Sequence, residues 1–377
     1  MRLGIIAPAL PPQRDGIGDY IVNLVQVLKA QHSIAVFIPQ ERTFHPIPGV
    51  EIATPFSYSH PKSVLNLAKV AADYKLDWLL LQYNPFSYGR WGFNPWLPYA
   101  MRAVKRQGIH FAVMFHETFV PVLHWKFAIM TTWQRLQARE LWRASERCFI
   151  SIEAWWHEQL ARWRGGPRPL HLPVGSNVPY LGIPPDQART RLSIPSDTLV
   201  LGYFGTVHGA LLMNRFHDAL KRLQSRSIPS LFLYIGPNNQ EMCALFDNLP
   251  IIAEGHCPPE EASLRLSAID IYLAPFVDGV STRRSSYITA LAHRLPSVGT
   301  IGVHTDSLWP PANGKAFLLS PVEDEEAFLD AVTQLALHPE RRTAVGLEAR
   351  TFYEAHFRWE QIGAQLISHL AQEVGNE

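Results

Sequence analysis

Short apolar runs alternate with amphipathic segments along the first part of the chain. Apolar runs bounded by polar residues predict buried β-strands, and apolar residues at helical spacing predict helices. The predicted strands are residues 3–7, 34–38, 78–81 and 111–115, and the clearest helix is residues 20–30. Strands that alternate with helices are typical of βαβ units and a parallel sheet.

The same pattern begins again after a Pro-rich connection that runs from Pro184 to Asp197. The segment before this connection, residues 120–165, is rich in Trp and Arg and is predicted to form long helices. The later predicted strands are 199–204, 231–235, 251–253, 269–273 and 297–299, and the later predicted helices are 216–223 and 287–292. Two successive parallel α/β units imply two Rossmann-like domains with a ligand-binding cleft at the carboxyl ends of their strands.

The predicted domain boundaries follow from this repetition. Residues 1–180 form the first domain and residues 181–356 the second. The amphipathic segment at the end of the chain, residues 357–377, is predicted to pack back on the first domain as a helix. A chain of 377 residues is long enough for two such domains.

Composition excludes several classes of protein. Hydrophobic residues make up 47% and charged residues 18% of the chain, which argues against long disordered stretches. The net charge of +1 does not favour a nucleic-acid binder. Cys148, Cys243 and Cys257 are far apart and lack partners at metal-ligand spacing, so we expect no disulfide, no metal site and a reducing compartment.

The apolar run near the start of the chain is too short for a signal peptide and is predicted to be a buried strand. No segment approaches the roughly 18 to 20 apolar residues of a membrane span. The protein is therefore expected to be cytoplasmic.

A glycine-containing loop, Asp15 to Asp19, lies between the first predicted strand and the first predicted helix. Gly16 and Gly18 would allow an anion to approach the backbone at a helix N-terminus. The alternative is a tight βα turn. The three-glycine dinucleotide fingerprint is incomplete, and the second strand ends at Pro39 and Gln40 without an acidic residue, which argues against a dehydrogenase.

His116 follows the predicted strand 111–115. At the carboxyl end of a parallel strand, an imidazole can hydrogen-bond a sugar hydroxyl or a departing phosphate. The alternative is an ordinary buried or surface histidine. We take His116 as a candidate catalytic residue.

The most unusual segment is Asp-Gly-Val-Ser-Thr-Arg-Arg-Ser-Ser, residues 278–286, between the strand Ile271–Ala274 and a helix of small residues. Two guanidinium groups, hydroxyls and backbone amides at a helix start suit a diphosphate. The alternative is a solvated basic loop. Arg283 and Arg284 are the candidate catalytic residues of this segment.

Residues 83–99 contain more aromatic side chains than a surface loop needs, and aromatic rings stack on sugar faces. Tyr83 and Trp91 are therefore candidate acceptor contacts. Interspersed Trp and Arg residues between 125 and 164 also suit a bilayer interface. A lipid-linked glycan acceptor at the inner face of a membrane is one hypothesis, and a domain core with a few exposed basic positions is the other.

Four segments together resemble the retaining GT-B glycosyltransferases of the family 4 type. They are DGIGDY at 15–20, GHCPPEEASLRLSAIDIYLAPF at 255–276, ALAHRLPSVGT at 290–300 and RWEQIGAQL at 358–366. The resemblance implies two facing Rossmann-like domains, a nucleotide-sugar donor linked to UDP or GDP, a glycan or lipid-linked acceptor, and no metal or other cofactor. It also implies retention of anomeric configuration by front-face attack, without a covalent intermediate.

The resemblance assigns roles to particular residues. His116 would lie near the transferred sugar, with Gly16 and Gly18 facing the donor phosphates and the acceptor. The remaining donor-binding residues would be Gly205, Thr206, Gly236, His256, Asp278, Gly279, Ser281, Thr282, Ser285 and Ser286.

Two features depart from the family pattern. Ser281 and Thr289 occupy the positions of the usual Glu-x7-Glu pair, and the segment after Gly205 has no basic residue until Arg215, where relatives carry a phosphate-binding Lys. Arg283 and Arg284 are predicted to supply the missing positive charge. The alternative is a non-catalytic GT-B-like protein that binds a sugar or a partner without turnover.

Overall fold

The computed structural model describes residues 1–120 and 125–372. It contains two compact units: Met1–Pro173 with the chain from Trp359 onward, and Val174–Arg358. The sequence pattern placed the boundary after residue 180. It lies earlier because the chain joins the second unit at Val174, whose backbone N–H donates to the carbonyl oxygen of Thr282 at 3.0 Å.

The first unit contains a seven-stranded parallel sheet in the order β3-β2-β1-β4-β5-β6-β7. Its strands are β1 (Arg2–Ile6), β2 (Ser33–Pro39), β3 (Glu51–Phe56), β4 (Trp78–Tyr83), β5 (His110–Phe115), β6 (Arg147–Ile150) and β7 (Leu170–His171). Its helices are α1 (Gly16–Leu28), α2 (Asn66–Asp73), α3 (Trp96–Arg106), α4 (Trp125–Ala144) and α5 (Ala154–Glu158), joined by the last helix of the chain.

The central strands are mostly apolar because helices cover both faces of a parallel sheet. All six residues of β4 are buried, for example. The prediction of long helices over residues 120–165 was wrong in part. One long helix, α4, is followed by the short strand β6, the short helix α5 and a 3₁₀ helix at Leu160–Arg162. The sequence pattern also missed β3 and β7.

The second unit contains a six-stranded parallel sheet in the order β10-β9-β8-β11-β12-β13. Its strands are β8 (Leu199–Phe204), β9 (Ser230–Ile235), β10 (Ile251–Glu254), β11 (Ile271–Ala274), β12 (Ser297–Ile301) and β13 (Leu318–Pro321). Its helices are α6 (Pro185–Arg191), α7 (Asn214–Ser225), α8 (Asn239–Phe246), α9 (Pro259–Leu266), α10 (Ser285–Ala292), α11 (Glu325–Leu337) and α12 (Pro339–His356). The edge strand β13 is the one that the sequence pattern missed.

The last helix, α13 (Trp359–Ala371), belongs to the first unit and packs against α1. The ring of Trp359 stands edge-on to Tyr20, with ring centroids 5.2 Å apart. Gly363 allows the two helices to approach closely, since a Cβ there would lie 3.0 Å from the side chain of Val27. The helix begins at Trp359, whereas the predicted segment began at residue 357 and ended at 377, beyond the described residues.

Candidate functional site

Two loops at the carboxyl ends of strands in the second unit are joined by backbone hydrogen bonds. One is the β8 loop, residues 205–213, and the other is the arginine loop, residues 275–284. Leu211 and Phe276 form an antiparallel bridge. The N–H of Val277 donates to Ala210 at 3.0 Å, and that of Leu212 donates to Pro275 at 2.8 Å. Predicted site residues that are far apart in sequence therefore lie together.

Asp278 is the centre of the arginine loop. Its carboxylate accepts hydrogen bonds from Nη2 of Arg284 at 2.6 and 2.8 Å and from Nη2 of Arg283 at 2.8 Å. Nδ1 of His304 also lies 3.0 Å from this carboxylate. Burial opposes ionisation of Asp278, but the hydrogen bond with His304 and the charges of both arginines outweigh it and hold its pKa well below its usual range. Asp278 is therefore a carboxylate at neutral pH.

Arg284 is the more buried of the two arginines. Its side chain is 10% exposed, and its guanidinium carbon lies 4.4 Å from the centre of the Phe276 ring. Burial and the neighbouring charge of Arg283 lower its pKa, while Asp278 acts in the opposite direction. The single carboxylate of Asp278 therefore offsets part of the positive charge of the two guanidinium groups.

A third loop, residues 302–309 after β12, fixes the arginine loop in place. The N–H of His304 donates to the carbonyl oxygen of Asp278 at 2.9 Å. Asp306 accepts from the N–H and Oγ1 of Thr282 at 2.7 and 2.9 Å. Sequence reasoning missed His304 and Asp306, although polar residues directly after a predicted parallel strand were a usable signal.

Gly279 is required where these loops meet. Its φ is +83°, in the left-handed region, and a Cβ there would lie 2.3 Å from the backbone nitrogen of Gly302. Gly279 thus allows the arginine loop and the loop after β12 to touch through their backbones.

Gly205, Gly236 and Ser286 also lie together. Gly205 has a φ of +138°, and a Cβ there would lie 3.3 Å from Cβ of Ser286. A Cβ at Gly236 would lie 2.3 Å from the carbonyl oxygen of Gly205, which accepts a hydrogen bond from the Tyr234 hydroxyl at 3.0 Å. The backbone is therefore closely packed around Gly205 and Gly236, two of the predicted donor-binding residues.

The other predicted donor residues differ in exposure. Thr206 is exposed in the β8 loop, and His256 is exposed in the turn after β10. Ser285 and Ser286 are half-buried at the start of α10. Among the described residues, no hydrogen bond or ion pair joins the His256 side chain to the β8 loop or the arginine loop.

The hydroxyls of Ser281 and Thr282 were predicted to contact the donor, but both residues are fully buried. Thr282 turns inward to Asp306, and Oγ of Ser281 has no hydrogen-bond partner among the described residues. Thr289, at the second Glu position of the family pattern, is also buried, and its hydroxyl lies 3.0 Å from Oγ of Ser176. The hydroxyls of Thr282 and Thr289 are therefore hydrogen-bonded within the protein.

In the first unit, Asp15 caps the N-terminus of α1. Its carboxylate accepts from the N–H of Ile17 at 2.8 Å and of Gly18 at 3.3 Å. The N–H of Asp19 is bonded to the Asp15 carbonyl at 3.0 Å. The amides of Ile17, Gly18 and Asp19 are therefore already satisfied, which favours a capped βα turn over an anion site. Gly16 is exposed beside this turn.

His116 follows β5 and is only partly buried. Its Nε2 donates to Oε1 of Gln82 at 2.7 Å, and the Tyr20 ring stands edge-on to it at 5.0 Å. Burial lowers the pKa of His116 to about 3, so the imidazole is neutral at physiological pH. With the proton on Nε2, Nδ1 is left as a hydrogen-bond acceptor.

The ring of Tyr83 is not accessible to a sugar acceptor. It is the last residue of β4, is fully buried, and accepts a hydrogen bond from Nε2 of Gln137 at 3.3 Å. Its side chain points into the core, which corrects the prediction of a sugar contact. Trp91 is 61% exposed and remains a candidate. Its carbonyl oxygen accepts from Nε1 of Trp133 at 3.1 Å, which fixes the loop on α4.

Within residues 1–120 and 125–372, no helix is long and apolar enough to cross a membrane. In the same ranges, no group of three or more His, Cys, Asp or Glu side chains is arranged to hold a metal ion. Cys148 is buried, Cys257 half-buried and Cys243 exposed, and all three are free thiols.

No protein-family model matches the sequence, and no curated protein matches it. Solved structures, however, match over almost the whole chain. Sucrose-phosphate synthase from Thermosynechococcus elongatus is 14% identical, with 98% of each chain covered and a TM-score of 0.75. WaaG, a glycosyltransferase involved in lipopolysaccharide biosynthesis, is 14% identical, with 98% of this chain and 100% of WaaG covered and a TM-score of 0.70.

HepE of Anabaena, solved in complex with UDP and glucose, is 12% identical, with 98% of this chain and 99% of HepE covered and a TM-score of 0.69. At these identities the similarity establishes the fold. The chain has the GT-B fold, with two Rossmann-like parallel-sheet units, as the sequence predicted.

Proposed function

We propose that the protein is a glycosyltransferase that moves a sugar from a nucleoside-diphosphate sugar to a glycan or lipid-linked acceptor. The observation that carries the proposal is the pair of guanidinium groups of Arg283 and Arg284, held by one carboxylate at the carboxyl end of the second sheet. Ligands of open α/β sheets bind at this end. The structural similarity to HepE, solved with UDP and glucose, supports the choice of donor.

In this proposal the donor diphosphate binds against the arginine loop. The bond between the anomeric carbon and the diphosphate oxygen breaks, and the oxygen leaves with the electron pair. Arg283 and Arg284 stabilise the negative charge that develops there, which is the role that a metal ion has in other transferases. The acceptor hydroxyl forms the new bond on the same face and passes its proton to the leaving phosphate oxygen, so anomeric configuration is retained.

His116 is proposed to orient the transferred sugar. Its neutral ring offers Nδ1 as an acceptor for a sugar hydroxyl, because Nε2 is already bonded to Gln82. A histidine with a pKa of about 3 is a poor general base, so the proposed role is hydrogen bonding rather than proton transfer.

The proposal is tested by incubating the full-length protein with UDP-linked and GDP-linked sugars and measuring release of UDP or GDP, with and without glycan acceptors. We expect release with one donor class, stimulated by an acceptor. Release from none of the donors, although nucleotides bind, would instead establish the non-catalytic alternative.

That alternative, a GT-B-like protein that binds a nucleotide sugar without turnover, is favoured by one specific observation. Ser281 and Thr289 occupy the positions of the family's Glu pair, and both are buried and lack carboxylates. The hydroxyl of Thr289 is already hydrogen-bonded to Ser176, within the protein. Binding and turnover must therefore be measured separately.

We also propose that the first unit contacts an anionic membrane surface through α4. Trp125, Ile129, Trp133 and Leu136 follow one another at helical spacing, and Trp125, Ile129 and Leu136 are each more than half exposed. Basic side chains outnumber acidic ones on this helix, with Lys126, Arg135, Arg139 and Arg143 against Glu140. Exposed apolar residues flanked by basic residues suit the interface of an anionic bilayer.

Cosedimentation with phosphatidylglycerol and phosphatidylcholine vesicles tests this contact. We expect binding to the anionic vesicles at low salt, weakened at high salt and lost in a Trp125→Ser/Leu136→Ser variant. A Leu337→Ser/Leu347→Ser variant, which removes two half-exposed leucines of the second unit, serves as the control. Absence of binding to anionic vesicles at either salt concentration would eliminate the membrane contact.

A further inference from the structure

His208 lies in the β8 loop, and its two ring nitrogens face different groups. The backbone N–H of Ala210 donates to Nδ1 at 3.2 Å. On the other side, Nε2 lies 3.4 Å from Nη1 of Arg284. The amide and Nη1 can both only donate, and a neutral ring has only one acceptor nitrogen. The contact with the amide is the shorter one, which assigns the acceptor role to Nδ1. The proton of the neutral ring is therefore on Nε2.

This tautomer places two N–H donors opposite each other. Nε2 of His208 carries a hydrogen, and Nη1 of Arg284 can only donate. The other terminal nitrogen of Arg284, Nη2, is bonded to both oxygens of Asp278. One acceptor oxygen placed between Nε2 of His208 and Nη1 of Arg284 would satisfy both donors.

The charges around His208 indicate which kind of acceptor oxygen binds between the two nitrogens. Burial lowers the pKa of His208, and the charges of Arg284 and Arg283 lower it further, so the ring is neutral at physiological pH. The guanidinium group of Arg284 carries a positive charge beside Nε2 of His208. An anionic oxygen would accept from both nitrogens and would gain a charge-assisted hydrogen bond from Arg284.

We infer that Nε2 of His208 and Nη1 of Arg284 together bind one phosphoryl oxygen of the donor's diphosphate. The inference rests on the proposed function and adds to it a phosphate-binding residue, His208, on the β8 loop. This loop lacks the phosphate-binding Lys of the related glycosyltransferases, and His208 supplies a neutral donor in its place. The antiparallel bridge between Leu211 and Phe276 fixes the distance between the two loops.

Two substitutions separate this role from a structural one. In His208→Asn, the amide oxygen can still accept from the N–H of Ala210, but the Nε2 donor is lost. In His208→Gln, the longer side chain keeps an N–H donor near the position of Nε2 and loses the contact with Ala210. If His208 only held the β8 loop, Asn would be the milder change. If it binds phosphate, Gln is the milder change.

The measurement is calorimetric titration of the full-length protein with UDP, GDP and inorganic pyrophosphate, and with the matching nucleosides. We expect His208→Asn to weaken the binding of the nucleoside diphosphate about tenfold or more, the effect of one hydrogen bond to a charged group. We expect His208→Gln to stay within about threefold of the wild type, and nucleoside binding to be the same in all three proteins. His338→Asn, which alters an exposed histidine of the same unit, is the control.

Equal diphosphate affinity in the wild type and His208→Asn, or a larger loss in His208→Gln, would overturn the inference. Failure of the proposed function gives a different result. A wild-type protein that binds pyrophosphate but neither UDP nor GDP would contradict a nucleotide-sugar donor. The role of His208 would then be tested by comparing the pyrophosphate affinities of the wild type, His208→Asn and His208→Gln. A wild type that binds none of the three would overturn both.

Discussion

Both carboxylate oxygens of Asp278 accept hydrogen bonds from Nη2 of Arg284, at 2.6 and 2.8 Å. The same carboxylate also bonds Arg283, so one acidic side chain holds two adjacent cations that would otherwise repel each other. The side chains of this cluster are between 10% and 20% exposed, so solvent screens their charges only in part. The arrangement makes Asp278 the residue on which the geometry of the arginine loop depends.

Replacement of Asp278 by Asn is expected to lower the free energy of unfolding by about 2 kcal/mol at pH 7, because it leaves two partly buried guanidinium groups without their counter-ion. Chemical denaturation of the wild type and Asp278→Asn measures this difference. Asp330→Asn, which removes an acidic partner of Arg222 at the surface, should cost about 0.5 kcal/mol or less.

The pH dependence of this difference follows from the depressed pKa of Asp278. Its folded-state pKa lies below the unfolded value of about 3.9. The stabilisation is therefore fully present above about pH 5 and is lost as the pH falls towards the folded-state pKa. We expect the stability difference between the wild type and Asp278→Asn to narrow between about pH 5 and pH 3, and to continue to narrow below pH 3. A difference that is constant over this range would show that Asp278 does not act through its charge.

Gly279→Ala is expected to destabilise the protein by about 2 kcal/mol more than Gly314→Ala. Both glycines have a φ near +80°, so the backbone strain of an alanine is the same at both positions. A Cβ at Gly279 would lie 2.3 Å from the backbone of Gly302, whereas one at Gly314 meets open space. Equal thermal stability of the two variants would contradict the close approach of the two loops.

His116 is expected not to titrate between pH 5 and 8, because its pKa is about 3. The two-dimensional NMR signals of its imidazole should be constant over this range. Since the folded-state pKa is below the unfolded value of about 6.5, His116 contributes stability that is lost as the pH falls from about 6.5 towards 3. A titration midpoint near pH 6.5 would show that the ring is solvated.

Strands with long apolar runs were predicted well from the sequence. The strand Leu199–Phe204 was predicted with its observed limits, because both faces are buried and a glycine ends the run. The strand Arg147–Ile150 was missed because it has four residues, begins with Arg, and directly follows a long amphipathic helix. A short strand of this kind is defined by its neighbours in the sheet rather than by its own pattern.

The candidate site could be predicted only as a set of loops. The sequence indicated that Arg283 and Arg284 belong to a site, but not that Asp278 pairs with both, because that contact depends on the backbone path around Gly279. Burial of Tyr83 was missed for a similar reason. An aromatic residue at a strand end can point to either face, and the direction is set by the register with the neighbouring strand.

The central claim is that the arginine loop binds the diphosphate of a nucleotide sugar. Calorimetric titration of the wild type and of Arg283→Ala/Arg284→Ala with UDP and GDP tests it most directly, with Lys221→Ala/Arg226→Ala as a control that removes the same charge from exposed positions of the same unit. The account predicts that the wild type and the control bind one of the two nucleotides with equal affinity. The affinity of the double variant for that nucleotide should be lower by about a hundredfold or more. Equal affinity of the double variant and the wild type would contradict it.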